Sequence, residues 1–292
     1  MKSLIKRYGN WALITGASSG IGFEFAKNLA KQGFNLVLVA RRSKLLNTQA
    51  LEFKNLYGID VRVLAVDLTE HNAVKALYDD VADLDIGLII PSAGVDEMGE
   101  FLTREHADLE RMIKLNVNVP TELVHIFGSK LSSRKKSGVI LVSSLFGYQG
   151  IPLFSTYAAT KAYILMLGEA LNVELKKKGI DVLVLSPGLT DTPFAHGLEM
   201  NLSLLPMFTQ KPKAVAMTGL RNIGKGATVV PGLLNKLYAW ENRFLPRSWP
   251  VKLFGALIGN AVKSFSKNKK IGLANGVSSN KPQVANNTGG KS

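Results

Sequence analysis

Tyr157 and Lys161 stand four residues apart, so on a helix they share one face about a turn from each other. Alone such a pair is ordinary. Here it follows, by a short loop, an apolar run Val139–Val142 that ends in Ser143 and Ser144. Reversible reduction of a carbonyl needs these three residue types together. A phenol must hand its proton to the carbonyl oxygen, yet an unperturbed phenol titrates at about 10. A neighbouring lysine cation favours the phenolate and eases that exchange. The Ser144 hydroxyl can donate to the substrate oxygen and hold it still.

A hydride source is suggested nearer the start of the chain. The run Thr15-Gly16-Ala17-Ser18-Ser19-Gly20-Ile21-Gly22 follows a strand-like stretch and precedes a helical one. Gly16 permits a tight turn, Gly20 a close approach of backbone to a pyrophosphate, and Gly22 close packing of helix on strand. The helix N-terminus behind them suits negative phosphates. The second apolar run ends at Ala40 and is followed by Arg41 and Arg42, where a site selective for NAD would place an acid. Arginine forks suit a ribose 2′-phosphate instead, although two solvated arginines at a strand end would read the same way. Asp67-Leu68 closes the third run. Asp67 either accepts from an adenine amino group or caps the helix that follows.

The elements that must position these groups alternate regularly. Runs at Trp11–Ile14, Leu36–Val39, Val61–Val66, Ile86–Ile90, Val139–Val142 and Val182–Leu185 are apolar throughout save for Arg62, as strands covered on both faces are. Helical stretches Ile21–Gln32, Lys44–Tyr57, Glu70–Ala82, Glu105–Phe127 and Thr156–Lys178 lie between them. The alternation predicts an α/β fold, a doubly wound parallel sheet of the Rossmann type with right-handed crossovers. Residues 1–226 are expected to form the catalytic domain, with 194–210 as an apolar substrate cover. A basic amphipathic extension is expected over 227–266 and a disordered tail over 267–292, where Asn, Gly, Ser and Lys dominate.

With these motifs in place, the chain resembles the NADP-preferring branch of the short-chain dehydrogenase/reductase family over roughly residues 8–193. The glycine loop matches that family's cofactor loop, and Ser144, Tyr157 and Lys161 match its active-site serine and Tyr-x-x-x-Lys pair in order and spacing. The resemblance implies that Asn116 holds a water in a proton relay that reaches Lys161. It also implies that Leu189, by backbone, and Thr192, by side chain, fix a nicotinamide carboxamide within Pro187-Gly188-Leu189-Thr190-Asp191-Thr192. The implied NADP site comprises Gly16, Ser18, Ser19, Gly20, Ile21, Gly22, Arg41, Arg42, Asp67, Leu68, Ala93, Gly94, Tyr157, Lys161, Pro187, Gly188, Leu189 and Thr192. One departure stands out. Where the family has Asn-Asn-Ala-Gly, this chain reads Pro91-Ser92-Ala93-Gly94, so the asparagine that ties neighbouring strands together is replaced by Ser92. A change in local rigidity rather than in chemistry is expected. The segment 227–265 resembles the extension of a bacterial-type subgroup of the family, through Val230-Pro231-Gly232 and Leu245-Pro246-Arg247; that likeness carries over an architecture but no substrate.

Bulk properties limit the alternatives. There is no cysteine, which removes disulfides and thiolate chemistry, and the four histidines show no ligand pairing, so no metal is expected. The 20% charged and 46% apolar composition is that of a folded chain. Residues 1–200 hold 22 Lys/Arg against 21 Asp/Glu, whereas residues 201–292 hold 14 against the single Glu241. No zinc pattern or aromatic-interleaved basic stripe accompanies that excess, so no nucleic acid is expected. The extension instead contacts a membrane peripherally, docks on the protein's own body, or meets a second subunit. No apolar run is long enough for a span and no secretory signal is visible, so the cytoplasm is the expected compartment.

The expected substrate is a small-molecule carbonyl or alcohol, apolar because Phe194, Leu198, Met200, Leu202, Leu204, Leu205, Met207 and Phe208 would cover it. Phe146, Tyr148, Ile151, Leu153 and Phe154 would line the opposite wall. The same side chains could instead pack on the core around a small substrate. The family resemblance further implies a homo-oligomer built on the helices that contain Glu105–Phe127 and Thr156–Lys178. A non-enzymatic NADP-binding sensor or scaffold is the competing class, and the intact Ser144, Tyr157 and Lys161 argue against it.

Overall fold

A computed structural model describes residues 4–205, 208–241 and 244–274, the last eight by backbone alone. Its centre is a seven-stranded parallel sheet in the order β3-β2-β1-β4-β5-β6-β7. The strands are β1 (Trp11–Thr15), β2 (Asn35–Ala40), β3 (Val61–Ala65), β4 (Ile86–Pro91), β5 (Ser137–Val142), β6 (Ile180–Leu185) and β7 (Thr228–Val229). The apolar residues that dominate their centres follow from burial on both sides. In β2, Leu36 and Leu38 enter one core with Phe25, Phe53 and Leu185, while Val37 and Val39 enter the other with Leu123, Phe127 and Val182.

Helices α2 (Gly20–Ala30), α3 (Ser43–Tyr57) and α9 (Pro212–Asn222) cover the first face. The second is covered by α4 (Ala73–Asp80), α6 (Val119–Ser132) and α7 (Ser155–Glu174). The strand order reverses between β1 and β4, and that switch point is where an open α/β sheet leaves a crevice at its C-terminal edge.

Three features differ from the sequence expectation. The helix expected over Glu105–Phe127 is α5 (His106–Ile113), a π turn over Lys114–Asn118, and then α6. Pro120 explains the break, because it has no N–H to offer the Asn116 carbonyl four residues back. A short N-terminal helix, α1 (Leu4–Tyr8), was not expected. Asp181 holds it, accepting from Arg7 at 2.5 Å and from the buried Tyr8 hydroxyl at 2.9 Å, with Lys136 at 2.7 Å. Finally, α11 (Ser248–Ala274) runs into the stretch expected to be disordered from Lys267, since the helix of the extension does not stop where the apolar periodicity does. The tail beyond Ala274, Pro206 and Met207 in the expected substrate cover, and Asn242 and Arg243 in the expected extension lie outside the described residues.

Candidate active site

One cleft of about 510 Å³ runs along the switch point, and it collects residues from the C-terminal ends of most strands. At one end is the turn between β1 and α2. Gly16 and Gly20 have φ of +66° and +58°, values an L side chain resists, and a Cβ on Gly22 would stand 2.3 Å from the Gly16 carbonyl oxygen. The loop therefore accepts no bulk at these positions. Ser19 precedes α2 without a side-chain cap, which leaves the first-turn N–H groups directed at the cleft. Beside them Arg42 donates to the Ser18 hydroxyl at 2.8 Å and the Ser19 hydroxyl at 2.7 Å, and Arg41 lines the same wall.

Asp67 is more heavily engaged than the sequence suggested. One oxygen accepts from the Thr69 N–H and hydroxyl, at 3.0 and 2.7 Å, and the other accepts from Arg111 at 2.7 Å with Arg41 at 3.9 Å. Burial raises its carboxyl, but the two Thr69 bonds and the two arginines outweigh that and hold it below the usual value. Both the capping contact and a place in the cleft wall are thus realised.

At the other end, Ser144 leaves β5, and Tyr157 and Lys161 project from α7. The Ser143 hydroxyl donates to the Lys161 carbonyl at 2.7 Å, which pins α7 to the strand end. The Ser144 hydroxyl accepts from the Phe146 N–H at 3.2 Å, and Ser144 lines the same end of the cleft as the Tyr157 phenol. Lys161 donates to the Val142 carbonyl at 3.2 Å, and its ammonium stands 5.6 Å from the Tyr157 ring centroid. Phe146, Phe154 and Phe194 ring the phenol at 5.9–6.4 Å between centroids.

That enclosure changes the electrostatics. Burial pushes the Tyr157 phenol above its ordinary value, against the Ser144 hydroxyl and with help from the negative Asp96. Burial likewise lowers Lys161 to about 8, and Asp96 opposes that fall. The expected depression of the phenol by the lysine is therefore absent in the chain alone. Desolvation dominates both groups.

Of the expected site residues, Gly16, Ser18, Ser19, Gly20, Ile21, Gly22, Arg41, Arg42, Asp67, Leu68, Ala93, Gly94, Ser144, Tyr157, Lys161, Pro187, Gly188, Leu189 and Thr192 all line this cleft. Asn116 does not. It is buried behind the wall, where it accepts from the Val95 N–H and donates to the Val95 carbonyl and the Thr160 hydroxyl. Thr192 spends its hydroxyl locally, capping the short helix α8 (Pro193–His196) through Ala195 and donating to the Thr190 carbonyl. Of the expected apolar walls, Phe194, Leu198, Met200, Leu202, Leu205, Phe146 and Phe154 line the cleft. Tyr148, Ile151 and Leu153 pack behind it, while Leu204 and Phe208 are exposed.

Two contributors escaped the sequence reading. The Thr15 hydroxyl accepts from the N–H groups of both Ser92 and Ala93, at 3.1 Å each, and so ties β1 to β4 in a chain where Ser92 replaces the usual asparagine. Asp96 lines the cleft near Tyr157 and Lys161 with one buried oxygen that has no partner among the described residues. Burial raises its carboxyl to about 6. A lone acid in a loop gives no signal until its distant neighbours are known. Among the described residues no group of three metal-ligating side chains occurs.

A glycine turn at a helix start, an arginine pair at the end of β2 and a Ser-Tyr-Lys set in one switch-point cleft define a nucleotide-dependent oxidoreductase of the Rossmann type. The sequence model of the short chain dehydrogenase family matches residues 10–202, and the chain belongs to that family. It is 31% identical over 243 residues to a 7beta-hydroxysteroid dehydrogenase of Clostridium sardiniense, covering 83% of this chain and 93% of that one. It is 29% identical over 263 residues to a very-long-chain 3-oxoacyl-CoA reductase of Neurospora crassa, covering 88% and 75%. The solved structure of a short-chain dehydrogenase from Sphingobium yanoikuyae in complex with NADPH superposes with a TM-score of 0.72 at 26% identity, covering 95% of this chain and 99% of that one.

Proposed function

We propose that the protein transfers hydride between NADP(H) and a bulky apolar ketone or its alcohol, with Tyr157 as the proton donor and acceptor. The observation that carries this reading is the meeting of Ser144, Tyr157 and Lys161 at one end of a cleft whose other end is the glycine turn and Arg42. The residues present fit the dinucleotide: bulk is excluded at Gly16 and Gly22, helix N–H groups face the phosphates, and Arg42 with Ser18 and Ser19 offers donors to a 2′-phosphate. Bound there, the dinucleotide supplies the hydride to carbon or accepts it.

The chain's own work is the proton. The buried phenol favours its proton-loaded form, which is the form that reduction consumes. Ser144 holds the substrate oxygen beside that proton, and Lys161, kept close to its own titration point, returns a proton to the phenol side. Asn116 is given the support of a water in this relay, because its side chain and the Lys161 ammonium both border Gly94. Phe146, Phe154, Phe194, Leu198 and Met200 favour an apolar body, in keeping with the steroid and long-chain acyl groups named for two relatives.

A panel of ketosteroids, long-chain 3-oxoacyl thioesters and small polar ketones, followed by loss of NADPH or NADH absorbance, tests both parts. Turnover is expected with the bulky apolar members. NADPH is expected to be preferred by about 10–100-fold, the worth of charge-assisted bonds to a 2′-phosphate. Preference for small polar ketones would remove the substrate class, and preference for NADH would remove the role given to Arg42.

A further inference from the structure

Three of the fourteen cations of residues 201–292, Lys236, Arg247 and Lys252, lie among exposed apolar side chains on two helices and the connection between them. In α10 (Leu233–Glu241), Asn235 and Ala239 face inward, and the opposite face shows Leu233, Lys236, Leu237 and Trp240, the i, i+3, i+4, i+7 positions of one stripe. In α11, Phe254, Ile258 and Ala261 are buried in the cluster that holds Tyr157. Its other side shows Trp249, Lys252, Leu253 and Ala256. The connection between the two helices adds exposed Phe244, Leu245 and Arg247, with the Phe244 ring 4.6 Å from that of Trp240. Trp240 and Trp249 are 58% and 61% exposed. The one acid of the last third, Glu241, is partly buried, and burial raises its carboxyl.

Exposed apolar patches rimmed by charge mark contact surfaces. A second copy docked on it by a two-fold axis would set Lys236, Arg247 and Lys252 against their own equivalents. An anionic bilayer has the complementary charge, and its interface is where tryptophan rings sit between water and acyl chain. No helix among the described residues is long and apolar enough to cross a membrane, so the contact is one of lying on the surface.

We propose that the outer faces of α10 and α11, with the connection between them, form a docking face for an anionic phospholipid surface. This stands independently of the reaction assigned above. It also makes α11 a two-sided element, one face on the bilayer and the other packed in the apolar cluster around Tyr157.

The test is flotation of the full chain, at physiological salt, with vesicles of phosphatidylcholine alone and of phosphatidylcholine with one quarter phosphatidylglycerol. Binding to the anionic vesicles is expected, and little to the neutral ones. Each cation near such a surface is worth about fivefold in partition, so R247Q/K252Q should weaken binding by about 25-fold. W240S/W249S should abolish it while thermal melting and NADPH binding stay as in the parent. Failure of the parent to float with anionic vesicles overturns the proposal, as does equal flotation of the parent and both variants. A solution dimer that W240S/W249S converts to monomer overturns it too, by making a second copy the occupant.

Discussion

Asp96 is an acid held where it is costly, and its neighbours show what it does. Burial raises its carboxyl to about 6, Glu97 adds to the rise, and Lys161 opposes it. The same charge raises Lys161, which burial alone would push further below about 8. Replacing it by a neutral isostere therefore has two opposite consequences. Its folded value lies above its unfolded one, so the carboxylate destabilises the fold increasingly as pH rises through this range. Asp96→Asn should raise the melting temperature at pH 7–8 and lose that gain below about pH 4, where both forms of the acid are protonated. The alkaline limb of kcat/KM for ketone reduction should move to lower pH, because Lys161 loses its proton earlier. Differential scanning fluorimetry and a pH–rate profile check the two; an unmoved limb would separate Asp96 from Lys161. Tyr157, Lys161 and Ser144 were legible in the sequence because their spacing along the chain is itself the signal. Asp96 and Thr15 were not, since each acts on residues from another strand end, with Thr15 reaching Ser92 and Ala93 only once β1 lies beside β4.

The sheet and its helices follow from runs that are apolar on both faces, and their bounds fall within a few residues of the sequence reading. The π turn over Lys114–Asn118 did not, because a helical pattern shows no break until Pro120 is asked where its missing N–H would have gone. Nor did α1, whose stability rests on Asp181 more than 170 residues away. The extension proves to be an element of the cofactor end. Asn235 of α10 donates to the Pro231 carbonyl and to Gln210, and the backbone of Gln210 bonds Leu189 and Asp191. A Cβ on Gly188 would meet the Asn235 side chain at 2.5 Å. Asn235→Ala opens that contact and leaves buried partners unmet, a loss of roughly 1–3 kcal/mol. The expected result is a higher KM for NADPH with kcat nearly unchanged. A lower melting temperature with KM unmoved would reduce α10 to a structural prop.

Over the whole molecule, a nearly neutral body carries a cationic last third. The composition made this legible, but it could not assign the two faces of the amphipathic helices, because an apolar stripe reads alike whether it meets a core, a subunit or a lipid. The structure resolves the inner face as packing on the protein's own body. A second exposed surface lies on α7, where Tyr163, Met166 and Val173 fall on one stripe, with Met166 and Val173 67% and 71% exposed. We propose this stripe as the subunit interface of a homo-oligomer. Met166→Asp with Val173→Asp should convert the assembly to monomer in light scattering, and an unchanged mass would place the interface elsewhere. The proposed reaction turns on the proton held by Tyr157. Its most direct test is hydride transfer in a single turnover by Tyr157→Phe, with NADPH binding measured alongside. Binding within about twofold of the parent is expected, with transfer slowed by roughly 100–10,000-fold, the usual worth of a positioned general acid. Transfer at the parental rate with NADPH bound would contradict it.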